Sequence, residues 1–146
     1  MIHLTFDFPK VEASAPPYKQ LEYYRSSKGL SKAQLGEMIG VPAAEIINYE
    51  KQFQEIYYEQ ALKLSEALDI NVDLLLDDYT KFLMPGYGAR IKEIRSALGV
   101  SQGKFAELMG VNRSTVSIWE IEYHRPSRDN YIKMLSYMDR KEAYSA

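Results

Sequence analysis

One short stretch of the sequence, GVNRSTVSIWE at residues 110–120, concentrates hydrogen-bonding side chains. If the stretch is helical, Arg113, Ser114 and Ser117 lie on one side of that helix, since Ser117 follows Arg113 by about one turn. A guanidinium group is a rigid fork of donors that matches two neighbouring acceptors, such as O6 and N7 of guanine, and a serine hydroxyl can donate or accept. These residue types suit the binding of an acceptor-rich ligand.

Catalytic chemistry has little support in the sequence. The two histidines, His3 and His124, are far apart, and the absence of cysteine excludes disulfides, thiolate metal ligands and a cysteine nucleophile. The motifs HExxH, GxGxxG, the P-loop and GxSxG are also absent. We therefore predict no catalytic residue, no metal site and no cofactor, and expect that the protein is not an enzyme.

The elements that position the polar stretch occur twice. Shifting the chain by 70 residues aligns residues 25–69 with residues 95–139 without a gap, and ten of the 45 positions are identical. Apolar positions agree more widely, including Ile46 with Val116 and Tyr49 with Trp119, which are predicted to be core residues. A duplicated fold whose surface has diverged leaves such a pattern.

Each copy is predicted to contain two short helices joined by a tight turn. Ser31 and Ser101 precede apolar-periodic runs and can accept the free amide hydrogens of a first helical turn. Gly40 and Gly110 end these runs where a left-handed residue is favoured. The second short helix then begins at Pro42 in the first copy and, with an asparagine N-cap, at Asn112 in the second.

Further helices are predicted around each pair. The outer helices are expected at residues 18–27 and 58–68 in the first copy, and at 87–97 and 127–139 in the second. The run NVDLLLDDY adds a fifth helix, capped by Asn71, to the first copy alone. Without it, the second copy has an apolar surface that the first domain or a partner chain must cover.

The segments outside the repeat differ in character. In residues 1–17 an alternation of apolar and polar residues from Ile2 to Phe8 predicts a half-buried strand. Such an arm can pair with a second chain, which we favour, pair with a target, or pack on the helices. The joining stretch YTKFLMPGYG is apolar enough to be packed. The predicted domains are 1–17, 18–80 and 81–146.

Charge is divided unequally between the two halves. Residues 1–80 contain seven Lys/Arg and thirteen Asp/Glu, whereas residues 81–146 contain eleven and seven, although the whole chain has a net charge of −2. Only the second half is electrostatically suited to a polyanion. A hydrophobic content of 46% with no signal-like or membrane-spanning run predicts a cytoplasmic protein that does not associate with a membrane.

The segment IRSALGVSQGKFAELMGVNRSTVSIWEIEYHRPSRDNYIKML resembles the lambda-repressor-like, or Xre, family of helix-turn-helix transcription regulators. The segment RSSKGLSKAQLGEMIGVPAAEIINYE resembles it as well, so that the likeness extends over about residues 18–139. It implies an all-α fold of two tandem domains, one of five helices and one of four, behind a short β-like arm. The implied function is DNA-binding regulation, in particular repression by a homodimer that binds an inverted-repeat operator in double-stranded DNA.

The resemblance also assigns roles to residues of the second copy. Base reading in the major groove is implied for the first residues of its third helix: Arg113, Ser114 and Ser117. Contacts to phosphate or the groove edge are implied for the residues around that helix: Gln102, Asn112, Lys104, Arg125 and Arg128. Structural ion pairs are implied between Arg95 and Glu120 and between Arg25 and Glu50. A phosphate contact is the alternative role for Arg95.

The first copy lacks these polar groups. Its base-facing positions hold Ala43, Ala44 and Ile47, and acidic residues, Glu55 and Glu59, take the place of Arg125 and Arg128. We predict that this copy does not read DNA.

A protein-binding role is the alternative for the first copy, because tyrosine is enriched at interfaces. The predicted patch consists of Phe53, Tyr57 and Tyr58 with Glu55 and Glu59 beside them, and ordinary core aromatics are the competing interpretation. The corresponding function is that of an antitoxin or phage-type inhibitor that binds a protein through its first domain and autoregulates through its second.

Overall fold

The computed structural model describes residues 11–145 of the chain, with side chains as far as residue 140. Every regular element in this range is a helix, as the all-α prediction requires. The predicted strand at Ile2–Phe8 lies outside the described residues. The chain divides into two compact units, Met1–Lys81 and Phe82–Ala146.

The first unit contains four α-helices followed by a short 3-10 helix. The elements are α1 (Pro17–Ser27), α2 (Lys32–Ile39), α3 (Ala43–Glu50), α4 (Tyr58–Leu68) and the 3-10 helix η1 (Val72–Leu75), and α5 (Asp78–Phe82) reaches the boundary between the units. Helix α4 has the predicted bounds, and η1 packs against α1 and α4. The second unit contains α6 (Tyr87–Leu98), α7 (Gln102–Met109), α8 (Arg113–Glu120) and α9 (Arg128–Ser145).

Two helix starts follow the predicted serine caps. Ser31 Oγ accepts the Gln34 amide hydrogen at 3.0 Å while Gln34 Oε1 accepts that of Ser31 at 2.8 Å, which completes a capping box. In the second unit Ser101 Oγ accepts from the Lys104 amide at 3.1 Å. The prediction for Asn112 is wrong in one respect: it occupies the N-cap position of α8, but its side chain makes no capping hydrogen bond.

The predicted fifth helix is wrong as a single element. Asn71 Oδ1 accepts the Asp73 amide hydrogen at 2.9 Å and starts η1, which ends at Leu75. A second reciprocal cap then starts α5, because Asp77 Oδ1 accepts from the Thr80 amide at 3.0 Å and Thr80 Oγ1 accepts from the Asp77 amide at 2.9 Å. The two caps divide the run NVDLLLDDY into two short helices.

The predicted end of the last helix is also wrong, because α9 continues past Asp139 to Ser145. The equivalent residue of the first copy, Asp69, has a left-handed conformation with φ of 53°, and the following amide, that of Ile70, donates to the carbonyl of Ser65 at 3.0 Å. These contacts end α4. In the second copy, Asp139 is followed by good helix formers, RKEA, and no terminating turn forms.

Equivalent apolar positions build the two cores. In the first unit, Leu35 and Ile46 on neighbouring helices are fully buried, as are Phe105 and Val116 in the second. Tyr49 and Trp119 are also buried, so their rings belong to the cores rather than to an exposed stacking surface. These contacts hold each pair of short helices in the helix-turn-helix arrangement.

The part of the joining stretch that begins at Phe82 is packed within the second unit. The Phe82 ring lies 5.1 Å from the ring of Tyr131 on α9, and Leu83 is buried. The guanidinium group of Arg90 donates from Nη1 to the carbonyls of Phe82 at 2.8 Å and Met84 at 2.7 Å. These contacts fix the entry of the chain into α6.

Candidate nucleic-acid interface

Helix α8 has one polar face and one core face. Arg113 and Ser114 are exposed in its first turn, and Ser117 is half-buried one turn later. Val116 and Trp119 are buried on the opposite side. The three residues predicted to read bases are therefore brought together on the side of α8 that faces away from the core.

The end of α8 is anchored by the predicted ion pair. Arg95 donates from Nη2 to Glu120 Oε1 at 3.0 Å and from Nε to Oε2 at 3.1 Å, and the Glu120 side chain is only 1% exposed. Gln102 Nε2 lies 3.4 Å from the same Oε1. Gln102, expected at the groove edge, thus spans from the start of α7 to the end of α8. The pair is a bidentate, charge-assisted contact that fixes α8 against α6.

Two side chains of α9 contact the end of α7. Tyr137 donates its hydroxyl hydrogen to the Leu108 carbonyl at 2.7 Å, and Lys133 Nζ donates to the Met109 carbonyl at 3.3 Å. The lysine cation also opposes the negative end of the α7 dipole. Sequence reasoning missed both contacts, although the identity of Lys63 and Lys133 was a signal that this position is important.

The cations predicted to contact phosphate differ in exposure and in their contacts. Lys104 is exposed and lies 3.6 Å from Glu107 on its own helix, which is a weak surface pair. Arg125 is exposed in the loop before α9, whereas Arg128 is half-buried at the first residue of α9. Asn112 is exposed at the N-cap of α8.

The loop after α8 closes against the start of α6. Glu122 has φ of 62°, and its Oε1 accepts the amide hydrogens of Gly86 at 2.8 Å and Tyr87 at 3.0 Å. Gly88 permits this approach, because a Cβ there would lie 2.1 Å from the carbonyl oxygen of Glu120. The second residue after α8 therefore caps the first helix of the same unit, a contact that sequence reasoning missed.

The first unit has the same frame with a different surface. Arg25 Nε lies 2.7 Å from Glu50 Oε2, and this hydrogen bond raises the pKa of Arg25 despite partial desolvation. On α3, however, the positions equivalent to the three polar residues of α8 hold Ala43, Ala44 and Ile47. They offer no side-chain hydrogen bond donor.

The loop of the first unit corrects one residue equivalence. Helices α4 and α9 begin at Tyr58 and Arg128, so Tyr58, and not Glu59, takes the place of Arg128. Glu55 remains the counterpart of Arg125. The loop also differs in its bonding, because Gln54 Nε2 donates to Glu45 Oε1 at 3.1 Å.

The residues of the predicted protein-binding patch differ in exposure. Phe53 is 77% exposed, whereas Tyr57 and Tyr58 are half-buried. The Tyr57 ring lies 6.5 Å from that of Tyr79, which is buried. Phe53 is therefore the aromatic residue of the patch that is fully available, and its counterpart in the second unit, Tyr123, is 72% exposed.

No group of three or more potential metal ligands occurs among residues 11–145. Within the same range, no helix has both the length and the apolar character needed to cross a membrane.

Both units have counterparts among known proteins. The helix-turn-helix family matches residues 21–75 and residues 91–144, which together are more than half of the chain. The chain belongs to this family. Its two helix-turn-helix domains are of the lambda-repressor-like, or Xre, type, which confirms the resemblance found in the sequence.

Three relatives of this helix-turn-helix protein are named as regulators. An HTH-type transcriptional regulatory protein of Thermococcus gammatolerans is 23% identical over 125 residues, which is 86% of this chain and 38% of that protein. One of Methanocaldococcus jannaschii is 38% identical over 52 residues, or 36% of this chain and 16% of the relative. An uncharacterised HTH-type transcriptional regulator of Rickettsia conorii is 36% identical over 59 residues, or 40% of this chain and 47% of the relative.

This helix-turn-helix chain spans less than half the length of each of these relatives. No solved structure gives a significant match. Family membership identifies the chain as a helix-turn-helix protein, and the roles of individual residues are proposals that depend on the geometry described above.

Proposed function

We propose that the protein is a sequence-specific transcription repressor that reads the major groove with α8 and acts as a homodimer on an inverted repeat. The observation that carries this proposal is the exposed polar face of α8, with Arg113, Ser114 and Ser117 on it. Recognition helices of helix-turn-helix proteins contact base edges with their first residues, and dimers match the symmetry of their operators. In this proposal Arg113 donates to the acceptors of a guanine.

The positive charge of the second half of the chain also supports DNA binding by the second unit. The second half of the chain has a net charge of +4, and its exposed or half-buried cations near α8 include Lys104, Arg125 and Arg128. Each cation that contacts a phosphate releases counterions and contributes affinity that falls with salt. The amide hydrogens at the start of α9 offer a further position for a phosphate. Asn112 and Gln102 complete this proposed contact surface at the groove edge.

The division of labour between the units is part of the proposal. The first half has a net charge of −6, and its α3 presents methyl groups where α8 presents donors. Small apolar groups can contact a thymine methyl, but they provide little discrimination, and the carboxylates nearby repel phosphate. The second unit therefore reads DNA and the first does not.

The experiment begins with an operator selected by the full chain from random-sequence duplexes. Fluorescence anisotropy then compares the affinity of the wild type and Arg113→Ala for this operator and for a scrambled duplex. We expect Arg113→Ala to lose about 1–3 kcal/mol of discrimination between the two, because the bidentate contact to one base pair is lost. Arg125→Ala should weaken binding to both duplexes and reduce the salt dependence by about one counterion.

The matched control is Ala43→Arg, which introduces an arginine at the equivalent position of α3. If the first unit does not read DNA, this variant selects the same operator as the wild type. Selection of no consensus by the wild type, or unchanged discrimination in Arg113→Ala, would contradict the proposed reading helix. A new consensus in Ala43→Arg would contradict the division of labour.

One observation favours a second candidate function for the first unit. Phe53 is 77% exposed beside an acidic surface, which suits a protein partner with a basic, apolar binding face. The protein would then act as an antitoxin or inhibitor that regulates its own synthesis through the second unit. Glu55→Gln with Glu59→Gln should leave operator affinity equal or higher and weaken capture of the partner, whereas a large loss of operator affinity would contradict both the candidate function and the division of labour.

A further inference from the structure

Among the described residues, the second unit has no counterpart of η1, which covers one face of the first unit. In the first unit η1 packs across α1 and α4, and Ser65 and Leu68 on α4 are buried. The equivalent residues of α9 are Leu135 and Met138, and Leu135 is 38% exposed while Met138 is half-buried. The second copy therefore has Leu135 where the first copy has Ser65. This face of α9 is not covered by any described element of the second unit.

Leu135 belongs to an exposed stripe that runs along α9. Ile132, which is 56% exposed, precedes Leu135 by three positions. Arg128 lies four positions before Ile132, and Asp139 lies four positions after Leu135. Residues spaced by four, three and four lie along one side of a helix. The α9 stripe, Arg128, Ile132, Leu135 and Asp139, is therefore apolar at its centre and oppositely charged at its ends.

This order is self-complementary when two copies of α9 run antiparallel about a two-fold axis. With the axis between residues 133 and 134, Ile132 of one chain faces Leu135 of the other, and Arg128 faces Asp139. An isologous interface needs this reciprocity, because residue i contacts residue j of the partner and residue j contacts residue i. A parallel pairing would place like charges together at both ends of the stripe.

We infer that α9 is the dimerisation helix and that its occupant is α9 of a second copy of this chain. The inference rests on the homodimer of the proposed function and specifies the face that forms it. The charge pattern favours a second copy over an unrelated partner, since the stripe supplies both the cation and the carboxylate that it requires. Arg128 also has interactions within its own chain. Its guanidinium group has five N–H donors, so the carboxylate of the second copy and the phosphate of the proposed function can both be bound.

Length gives a second reason to select α9. It has 18 residues, whereas its counterpart α4 has 11 and ends at Leu68 before the position of Asp139. Because α9 is longer, Asp139, the acidic end of the stripe, is part of the helix. Helix α4 does not extend to that end and has Ser65, which is buried, at the position of Leu135, so the first unit cannot form the same contact.

The test measures the oligomeric state of the full chain by sedimentation velocity, without DNA. We expect the wild type to be a dimer at about 50 µM and Leu135→Glu to be a monomer, with a dissociation constant raised at least tenfold. Leu62→Glu is the matched control, because Leu62 occupies the position of Ile132 on α4 and is 36% exposed. It should leave the dimer intact.

A charge exchange tests the antiparallel register. Asp139→Arg should weaken the dimer, because it places two arginines opposite each other, and Asp139→Arg combined with Arg128→Asp should restore it. Asp139 is exposed, so the single variant retains its fold and carries the test if Leu135→Glu does not fold. Circular dichroism verifies the fold in each case.

The inference is overturned by a monomeric wild type, by a dimer that persists in both Leu135→Glu and Asp139→Arg, or by equal dissociation of Leu62→Glu. DNA binding is measured separately. A monomeric Leu135→Glu that still prefers one half-site through Arg113 supports both proposals. A dimer that never selects an operator supports α9 pairing and contradicts the proposed function.

Discussion

Replacement of Arg95 by leucine isolates the energetic role of the ion pair that anchors α8. The Glu120 side chain is 1% exposed and receives two hydrogen bonds from Arg95, at 3.0 and 3.1 Å. The remaining donor, Gln102 Nε2, is 3.4 Å away and provides a weaker contact. Arg95→Leu therefore leaves a buried carboxylate without its principal partner.

The magnitude follows from burial. Removing one member of a buried pair costs about 3–5 kcal/mol, because the other charge stays desolvated. Arg95 itself is 22% exposed, so water can reach part of the vacated position and the loss should be near about 3 kcal/mol. The double variant Arg95→Leu with Glu120→Leu removes the unpaired charge as well. It should be more stable than Arg95→Leu alone by at least about 1 kcal/mol.

The protein contains its own probe for this measurement. Trp119 is the single tryptophan of the chain, is buried, and precedes Glu120 on α8. Its emission during urea unfolding follows the second unit alone, while circular dichroism follows both. The free energies of unfolding of the wild type, the two single variants and the double variant form a double-mutant cycle.

Two results would refute this reasoning. A loss below about 1 kcal/mol in Arg95→Leu would mean that the carboxylate is solvated after all. A double variant whose loss equals the sum of the single losses would mean that Arg95 and Glu120 do not interact.

Two further variants test other contacts. Glu122→Ala removes the acceptor of two amide hydrogens at the start of α6 and should cost about 1 kcal/mol in the unfolding followed by Trp119, whereas Gln52→Ala, at the equivalent position of the first unit, should leave that transition unchanged. Burial, followed by the nearby Glu45 carboxylate, raises the pKa of Tyr49. The folded state therefore retains the phenol proton, and this stability is complete below about pH 10 and declines above it by up to about 1.4 kcal/mol per pH unit. Tyr49→Phe should lack this part of the alkaline decline in urea titrations at about pH 9 and 11, and an identical decline in both proteins would rule out the mechanism.

Local chemistry made the helix-turn-helix predictable. Ser31 and Gly40 lie at the two ends of α2, and Ser101 and Gly110 at those of α7, and each acts through groups within five residues of itself. Such short-range contacts survive in any tertiary context, so sequence periodicity and caps located these helices. Because the two copies align without a gap, the helices predicted in one copy supported those predicted in the other.

The ends of the longer helices, α4 and α9, were harder to predict, because residues that favour a helix and residues that end one lie next to each other there. Asp69 and Asp139 are identical in type and in repeat position, yet one ends a helix and the other continues it. The following residues decide the outcome, because Ile70 and Asn71 begin a new turn in the first copy. The second cap, at Asp77 and Thr80, has a sequence signal of its own, but the three leucines before it favoured a single helix.

The candidate site was predictable where it lies on one helix. The spacing of Arg113 and Ser117 was enough to predict that they lie on the same side of α8. The side chains that hold the second unit together, in contrast, come from distant parts of the chain. Tyr137 contacts Leu108 across 29 positions, and Glu122 contacts Tyr87 across 35. Tertiary packing creates these contacts, and no local pattern encodes them.

The two faces of α8 have a consequence for how the protein can change over time. Side chains that hold the helix in place, such as Val116 and Trp119, are buried, whereas Arg113 and Ser114 are exposed. Exposed substitutions away from such packing usually alter stability by less than about 0.5 kcal/mol. The outward residues can therefore be exchanged one by one without loss of the fold. Under the proposed function, natural drift or a designer could change which bases α8 prefers while its packing stayed the same. The outward positions of α3, which hold Ala43, Ala44 and Ile47, have already diverged from those of α8 within one chain.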